Sequence, residues 1–118
     1  MDAAVATGFA LAVTLPRAGN LGGDGFMLVY VAAEDRTYAL DYRSAAPLAA
    51  RPALYDQAPQ DARYGYRASG VPGTVAGLAH AHARWGRLPW TDLIEPARRL
   101  AAEGVTLSHD SAYALSWS

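Results

Sequence analysis

Asp41 and Arg43 stand two residues apart in Leu40-Asp41-Tyr42-Arg43, a β-rich run, so both side chains fall on one face of a strand. Two readings are open. One is a local ion pair at a sheet margin, which contributes little. The other is a guanidinium fork at a strand's end that grips a carboxylate bidentately. The other groups capable of chemistry are scattered. His80 and His82 are two apart on a helical stretch and point to roughly opposite sides, while His109 lies far off in a cap region. No metal site is expected from them, because ligands must converge. Ser44, Ser69, Thr74 and Ser111 have no paired base in any recognisable motif, and no Gly-x-Ser-x-Gly elbow occurs. Thr74 reads better as a helix start. Asp92 and Glu95 fall in the first turn of a helix, where negative charge suits the macrodipole. No catalytic residue is expected in this chain.

The elements that must position Arg43 are organised around Ala18-Gly19-Asn20-Leu21-Gly22-Gly23-Asp24-Gly25, which runs into Phe26-Met27-Leu28-Val29-Tyr30-Val31. Glycine tolerates positive φ and lets another backbone come close. The apolar run after it predicts a strand buried on both faces. Phosphate binding fits poorly. A dinucleotide fingerprint needs Gly-x-Gly-x-x-Gly leaving a strand and opening a helix, whereas here a helix leads in and a strand leads out. A P-loop needs a lysine, and the sequence has none.

Ahead of the turn, Asp2 to Leu15 reads as a helix that is apolar all round, hence buried on most sides, with Asp2 as its cap and Pro16 as its stop. Behind it, Gly25–Val31 and Thr37–Arg43 flank the polar Ala33-Glu34-Asp35-Arg36 and predict a hairpin. An irregular, proline-bearing connection follows from about Ser44 to Ala68, with Tyr55, Tyr64 and Tyr66 as packing anchors. The small-residue turn Ser69–Thr74 opens a helix, Val75 to Trp85, that ends at Gly86. Another runs from the cap Thr91 to Gly104, with Leu93, Ile94, Ala97, Leu100 and Ala101 on one face and a kink expected at Pro96. Ser108-His109-Asp110 caps a last helix starting near Ser111. The fold class is α+β: a helix, a β-hairpin and two or three helices. Two strands make a marginal sheet, so residues 1–118 read as a single partial domain.

Composition narrows the function. Ten arginines against 11 acids leave a net charge of −1 and no basic footprint for nucleic acid. There is no cysteine, which excludes disulfides and thiolate chemistry. An apolar content of 52% argues against disorder. Met1-Asp2 lacks the positive start of a signal peptide, and the first apolar stretch of about 14 residues is short of the roughly 20 that a membrane span needs. Nothing in the sequence assigns a compartment.

Five stretches, in order and covering nearly the whole chain, resemble the γ-glutamyltransferase (glutathione hydrolase) family. They are Asp2–Ala6, Ala18–Met27, Leu40–Pro47, Gly70–Leu78, and Leu88-Pro89-Trp90 through Pro96-Ala97 to Ala102-Glu103-Gly104. The resemblance implies part of an N-terminal nucleophile (Ntn) hydrolase αββα sandwich, the early part of a large subunit cut from a self-processing precursor. It implies that the nucleophile is the N-terminal threonine of the small subunit, with its own α-amine as base. It implies γ-glutamyl amides such as glutathione as substrates, water or an amino acid as acceptor, no cofactor, and a parent protein often periplasmic or secreted. This chain, with Met1 first, is expected to be inactive by itself and to self-associate or partly unfold without the small subunit.

One site residue carries over: the arginine that holds the substrate α-carboxylate matches Arg43. Two positions depart from the family pattern. Ser44 stands where an acidic residue often follows the arginine, and Asp24 where another glycine is common. An acid after the arginine would orient the guanidinium, so Ser44 bears on Arg43's pose and on substrate preference. A related acylase or amidohydrolase, or a non-catalytic truncated interaction module, are the alternatives.

Overall fold

A computed structural model describes residues 1–19 and 21–116. Asn20 of the glycine-rich turn lies outside the described residues, as do Trp117 and Ser118. The order is helix α1 (Asp2–Thr14), strands β1 (Phe26–Val31) and β2 (Arg36–Asp41), then helices α2 (Thr74–Trp85), α3 (Trp90–Glu103) and α4 (His109–Leu115). The fold is α+β, as its periodicities predict.

Helix α1 lies against α3. Val5 and Phe9, four apart on α1, meet Leu93 and Ala97, four apart on α3, with Leu78 of α2 closing the cluster. The Phe9 and Trp90 rings cross edge to face at 5.4 Å. Helix α3 runs unbroken through Pro96, with Leu93 and Ala97 buried on either side of it, so its first turn is not a separate element. Its first residue is Trp90, and Thr91 is not its cap. Around α1, Ala3, Ala4, Thr7 and Leu11 are exposed, so the helix is covered on one side rather than on most. Asp2 does not cap it. Its carboxylate instead accepts the backbone N–H groups of Arg87 at 2.9 Å and Leu88 at 3.2 Å, tying the α2–α3 corner to the start of α1.

The hairpin pairs Phe26 with Asp41 and Val31 with Arg36. Its turn is a short 3-10 segment closed by Asp35 at φ 45°. Met27, Val29, Tyr38 and Leu40 share the inner face, towards the helices, while Phe26, Leu28 and Tyr30 stand on the outer one. These three are 67%, 76% and 61% exposed, so β1 is not buried on both faces. A two-stranded sheet with helices on one side leaves its other side bare.

The glycines of the turn answer to close approach. Neither Gly19 nor Gly25 has positive φ, but a Cβ on Gly19 would lie 2.5 Å from the Leu11 carbonyl oxygen. Gly86 ends α2 in extended conformation (φ −74°), where a Cβ would meet the His82 ring at 2.3 Å. Among the described residues, φ calls for glycine on conformational grounds at Gly65 (80°), before the last 3-10 turn, and at Gly104 (86°), the end of α3. The connection before α2 is built from 3-10 turns at Pro52–Leu54, Pro59–Ala62 and Tyr66–Ala68. Tyr55 anchors it through a hydrogen bond to the Arg67 carbonyl, whereas Tyr64 and Tyr66 are exposed and anchor nothing by burial. Ser108 caps α4, accepting the Ser111 N–H at 3.2 Å. Among the described residues no helix is long and apolar enough to cross a membrane.

Candidate functional site

Residues 42–45 leave β2 and turn along the glycine-rich segment. Three close contacts hold them there. Tyr42 packs on Gly25 and Gly77, with 2.8 Å and 2.2 Å left between a hypothetical Cβ and the ring. The carbonyl of Gly23 accepts the N–H groups of Gly73 and Thr74 at 3.0 and 3.1 Å, which docks the start of α2 on the turn. Ala45 and Val71 exchange both backbone hydrogen bonds. The turn, the end of the hairpin and the first residue of α2 are therefore one unit.

Arg43 projects from this unit. β2 ends at Asp41, the strand alternation lapses, and the expected side-chain pair between Asp41 and Arg43 does not form. Asp41 instead accepts the backbone N–H of Arg43 at 2.9 Å. The guanidinium pairs with Asp24, Nε to Oδ2 at 3.5 Å, and lies 5.9 Å from the centre of the Phe26 ring. Arg43 is thus at the margin of the bare outer face. Its side chain is 60% exposed, and among the described residues its two terminal amino groups have no hydrogen-bond partner. A cleft of about 460 Å³ adjoins it, lined also by Asp41, Tyr42, Gly73, Gly77 and His80.

Asp24 is the residue that local reading of the sequence missed. Its Oδ2 accepts both the Ser44 hydroxyl at 2.6 Å and the Ser44 N–H at 3.0 Å. The two positions that depart from the family pattern are bonded to each other. The Ser44 hydroxyl, the Ser44 N–H and then the Arg43 charge hold the Asp24 carboxyl below its ordinary value. The carboxylate therefore stays charged at neutral pH, and its contacts weaken only as pH falls below the usual carboxylate range.

The other candidates fall apart in space. Thr74 begins α2, and Ser111 donates to the Ser108 cap. Ser69 ends the last 3-10 turn. His82 leans against Trp90, the rings tilted by 52° with centroids 5.2 Å apart, and its Nε2 lies 2.8 Å from the Leu88 carbonyl oxygen, which can only accept. His80 is exposed beside the cleft, and His109 opens α4. Among the described residues no three His, Cys, Asp or Glu side chains gather as metal ligands.

The γ-glutamyltranspeptidase family profile matches residues 1–118. The chain belongs to the γ-glutamyltranspeptidase family. It is 49% identical over 113 residues to the glutathione hydrolase proenzyme of Pseudomonas aeruginosa, covering 92% of this chain and 20% of that one. It superposes on the γ-glutamyltranspeptidase of Helicobacter pylori with a TM-score of 0.90 at 43% identity, covering 98% of this chain and 34% of that one. On the Pseudomonas nitroreducens γ-glutamyltranspeptidase complexed with L-DON the TM-score is 0.86 at 44% identity, with 98% and 35% covered. The fold is accordingly part of an Ntn hydrolase sandwich. The chain spans about a fifth of the length of the curated relatives it matches. In a family member, the bare outer face of the hairpin is a surface that the rest of the protein is available to cover.

Proposed function

We propose that this chain is the early part of a γ-glutamyltranspeptidase large subunit, a single partial domain, and that Arg43 binds the α-carboxylate of the γ-glutamyl substrate. The observation that carries the reading is the state of the guanidinium. It is ion-paired at Nε with Asp24 at 3.5 Å, free of partners at both terminal amino groups among the described residues, and seated beside Phe26 at the edge of the uncovered face. Those two amino groups are the donors that a planar carboxylate takes in parallel. A subunit packed over Phe26, Leu28 and Tyr30 would at the same time exclude water from Arg43, where a charge-assisted pair gains strength.

In this reading the chain binds and orients, and the small subunit does the chemistry. Its N-terminal threonine attacks the γ-amide carbon, and the acyl group passes to water or an amino acid. The relatives from Pseudomonas aeruginosa and Escherichia coli are glutathione hydrolase proenzymes, which supports a glutathione-like substrate. Arg43→Ala in the complete, processed enzyme tests the role. The Michaelis constant for a γ-glutamyl substrate should rise by roughly 100-fold, with partial rescue in Arg43→Lys, because an ammonium cannot make the two-point contact. An unchanged Michaelis constant in Arg43→Ala would remove Arg43 from the site.

A further inference from the structure

Asp24 and Asp41 hold Arg43 at two different places. Asp41 takes its backbone N–H, and Asp24 takes its side chain. A single oxygen of Asp24, Oδ2, gathers the Ser44 N–H, the Ser44 hydroxyl and Arg43 Nε at 3.0, 2.6 and 3.5 Å. Its neighbour Gly23 is docked on the first residues of α2, so the carboxylate is fixed from behind as well as in front. The Ser44 hydroxyl donates its one hydrogen bond to Asp24 and has none left to offer a ligand. Asp24 is 25% exposed against 60% for Arg43, so the acid is the better-seated member of the pair.

An arginine of that exposure, with no acid at Nε, would be spread over many rotamers, and a ligand would have to collect it from all of them. We infer that Asp24 is a positioning residue for Arg43: it occupies the Nε edge of the guanidinium and directs an incoming carboxylate to the two terminal amino groups. The inference rests on the reading of Arg43 as the carboxylate-binding group. A second effect opposes it, since a negative Asp24 also repels an incoming carboxylate. The two effects move the ratio in opposite directions on substitution, so the sign of the change shows which is larger.

The test uses the complete, processed enzyme and two γ-glutamyl anilides, one with a free α-carboxylate and one with that group as the carboxamide. The readout is the ratio of kcat/KM between them. Asp24→Asn keeps an acceptor for Ser44 and removes the charge. It should lower the ratio on the order of tenfold through KM, with kcat nearly unchanged. Asp24→Gly, which adds no side chain to a glycine-rich turn, should lower it at least as far. In an Arg43→Ala background neither change should lower the ratio further. A ratio that stays the same or rises in Asp24→Asn, or an equal loss for both anilides, would overturn the inference while Arg43→Ala still collapses the ratio. If Arg43→Ala leaves the ratio at the wild-type value, the carboxylate reading itself fails, and the positioning role fails with it.

Discussion

Tyr42 lies directly on Gly77: a Cβ added at residue 77 would come 2.2 Å from the ring's Cγ and 2.6 Å from Tyr42's own Cβ. Those atoms are at the root of the side chain and cannot swing away. Helix α2 therefore approaches the end of the hairpin as closely as it does because residue 77 is glycine. Gly77→Ala should destabilise the folded protein by about 1–3 kcal/mol, the usual effect of overpacking, and push Tyr42 and its neighbour Arg43 outward. Denaturant melts of the two proteins check the first effect. A stability within error of wild type would mean that the contact is looser than the geometry states.

Asp2 supplies a pH-dependent fastening. Its carboxyl is held below the ordinary value, first by the Arg87 N–H, with the Leu88 N–H assisting against some desolvation. A lowered folded-state value means that the contribution is present above the unfolded value of about 3.8 and is lost as pH falls through the lower, folded one. Wild type should lose a few degrees of Tm between about pH 5 and pH 2 that Asp2→Ala has already lost at pH 7. Parallel Tm curves for the two proteins over that range would contradict the clamp.

Arg84 lies 4.2 Å from the centre of the Tyr38 ring and 4.8 Å from that of Trp85, joining the end of α2 to β2. Arg84→Gln keeps length and removes the charge. It should weaken folding by about 0.5–1 kcal/mol, the size of an exposed cation–π contact, with no change in substrate recognition.

The bare outer face has a consequence for the chain on its own. Phe26, Leu28 and Tyr30 form an apolar row on a two-stranded sheet, a surface that invites pairing. Sedimentation of the isolated chain should show self-association that Leu28→Lys reduces. A monodisperse monomer with a cooperative melt would argue against this.

Much of the fold was legible because it is local. Leu93 and Ala97 mark the buried face of α3 by their i, i+4 spacing, whereas α1 reads as apolar all round and its Val5–Phe9 face does not stand out, and Ser108 announces α4 three residues before the N–H that it accepts. What was not legible depends on residues far apart in sequence. Of the two readings of the turn's glycines, positive φ and close approach, Gly19 and Gly25 follow the second, but their partners Leu11 and Tyr42 could not be named. β1 reads as apolar throughout, yet within this chain only its inner face meets the helices. Arg43 was singled out by its place in the family pattern, and its role is the proposal made above. Its ion-pair partner was not legible, since strand alternation pointed to Asp41 while the chain folds back to bring Asp24, 19 residues earlier, within 3.5 Å. The one signal available was that an acid and a small hydroxyl stand at the two positions where the pattern has a glycine and an acid.

The most direct measurement is a crystal structure of the complete, processed enzyme with glutamate bound. The account predicts the α-carboxylate oxygens at hydrogen-bond distance, about 2.7–2.9 Å, from the two terminal amino groups of Arg43, with Asp24 still on Nε. A glutamate whose α-carboxylate is held by other residues, with Arg43 turned to solvent, would contradict it.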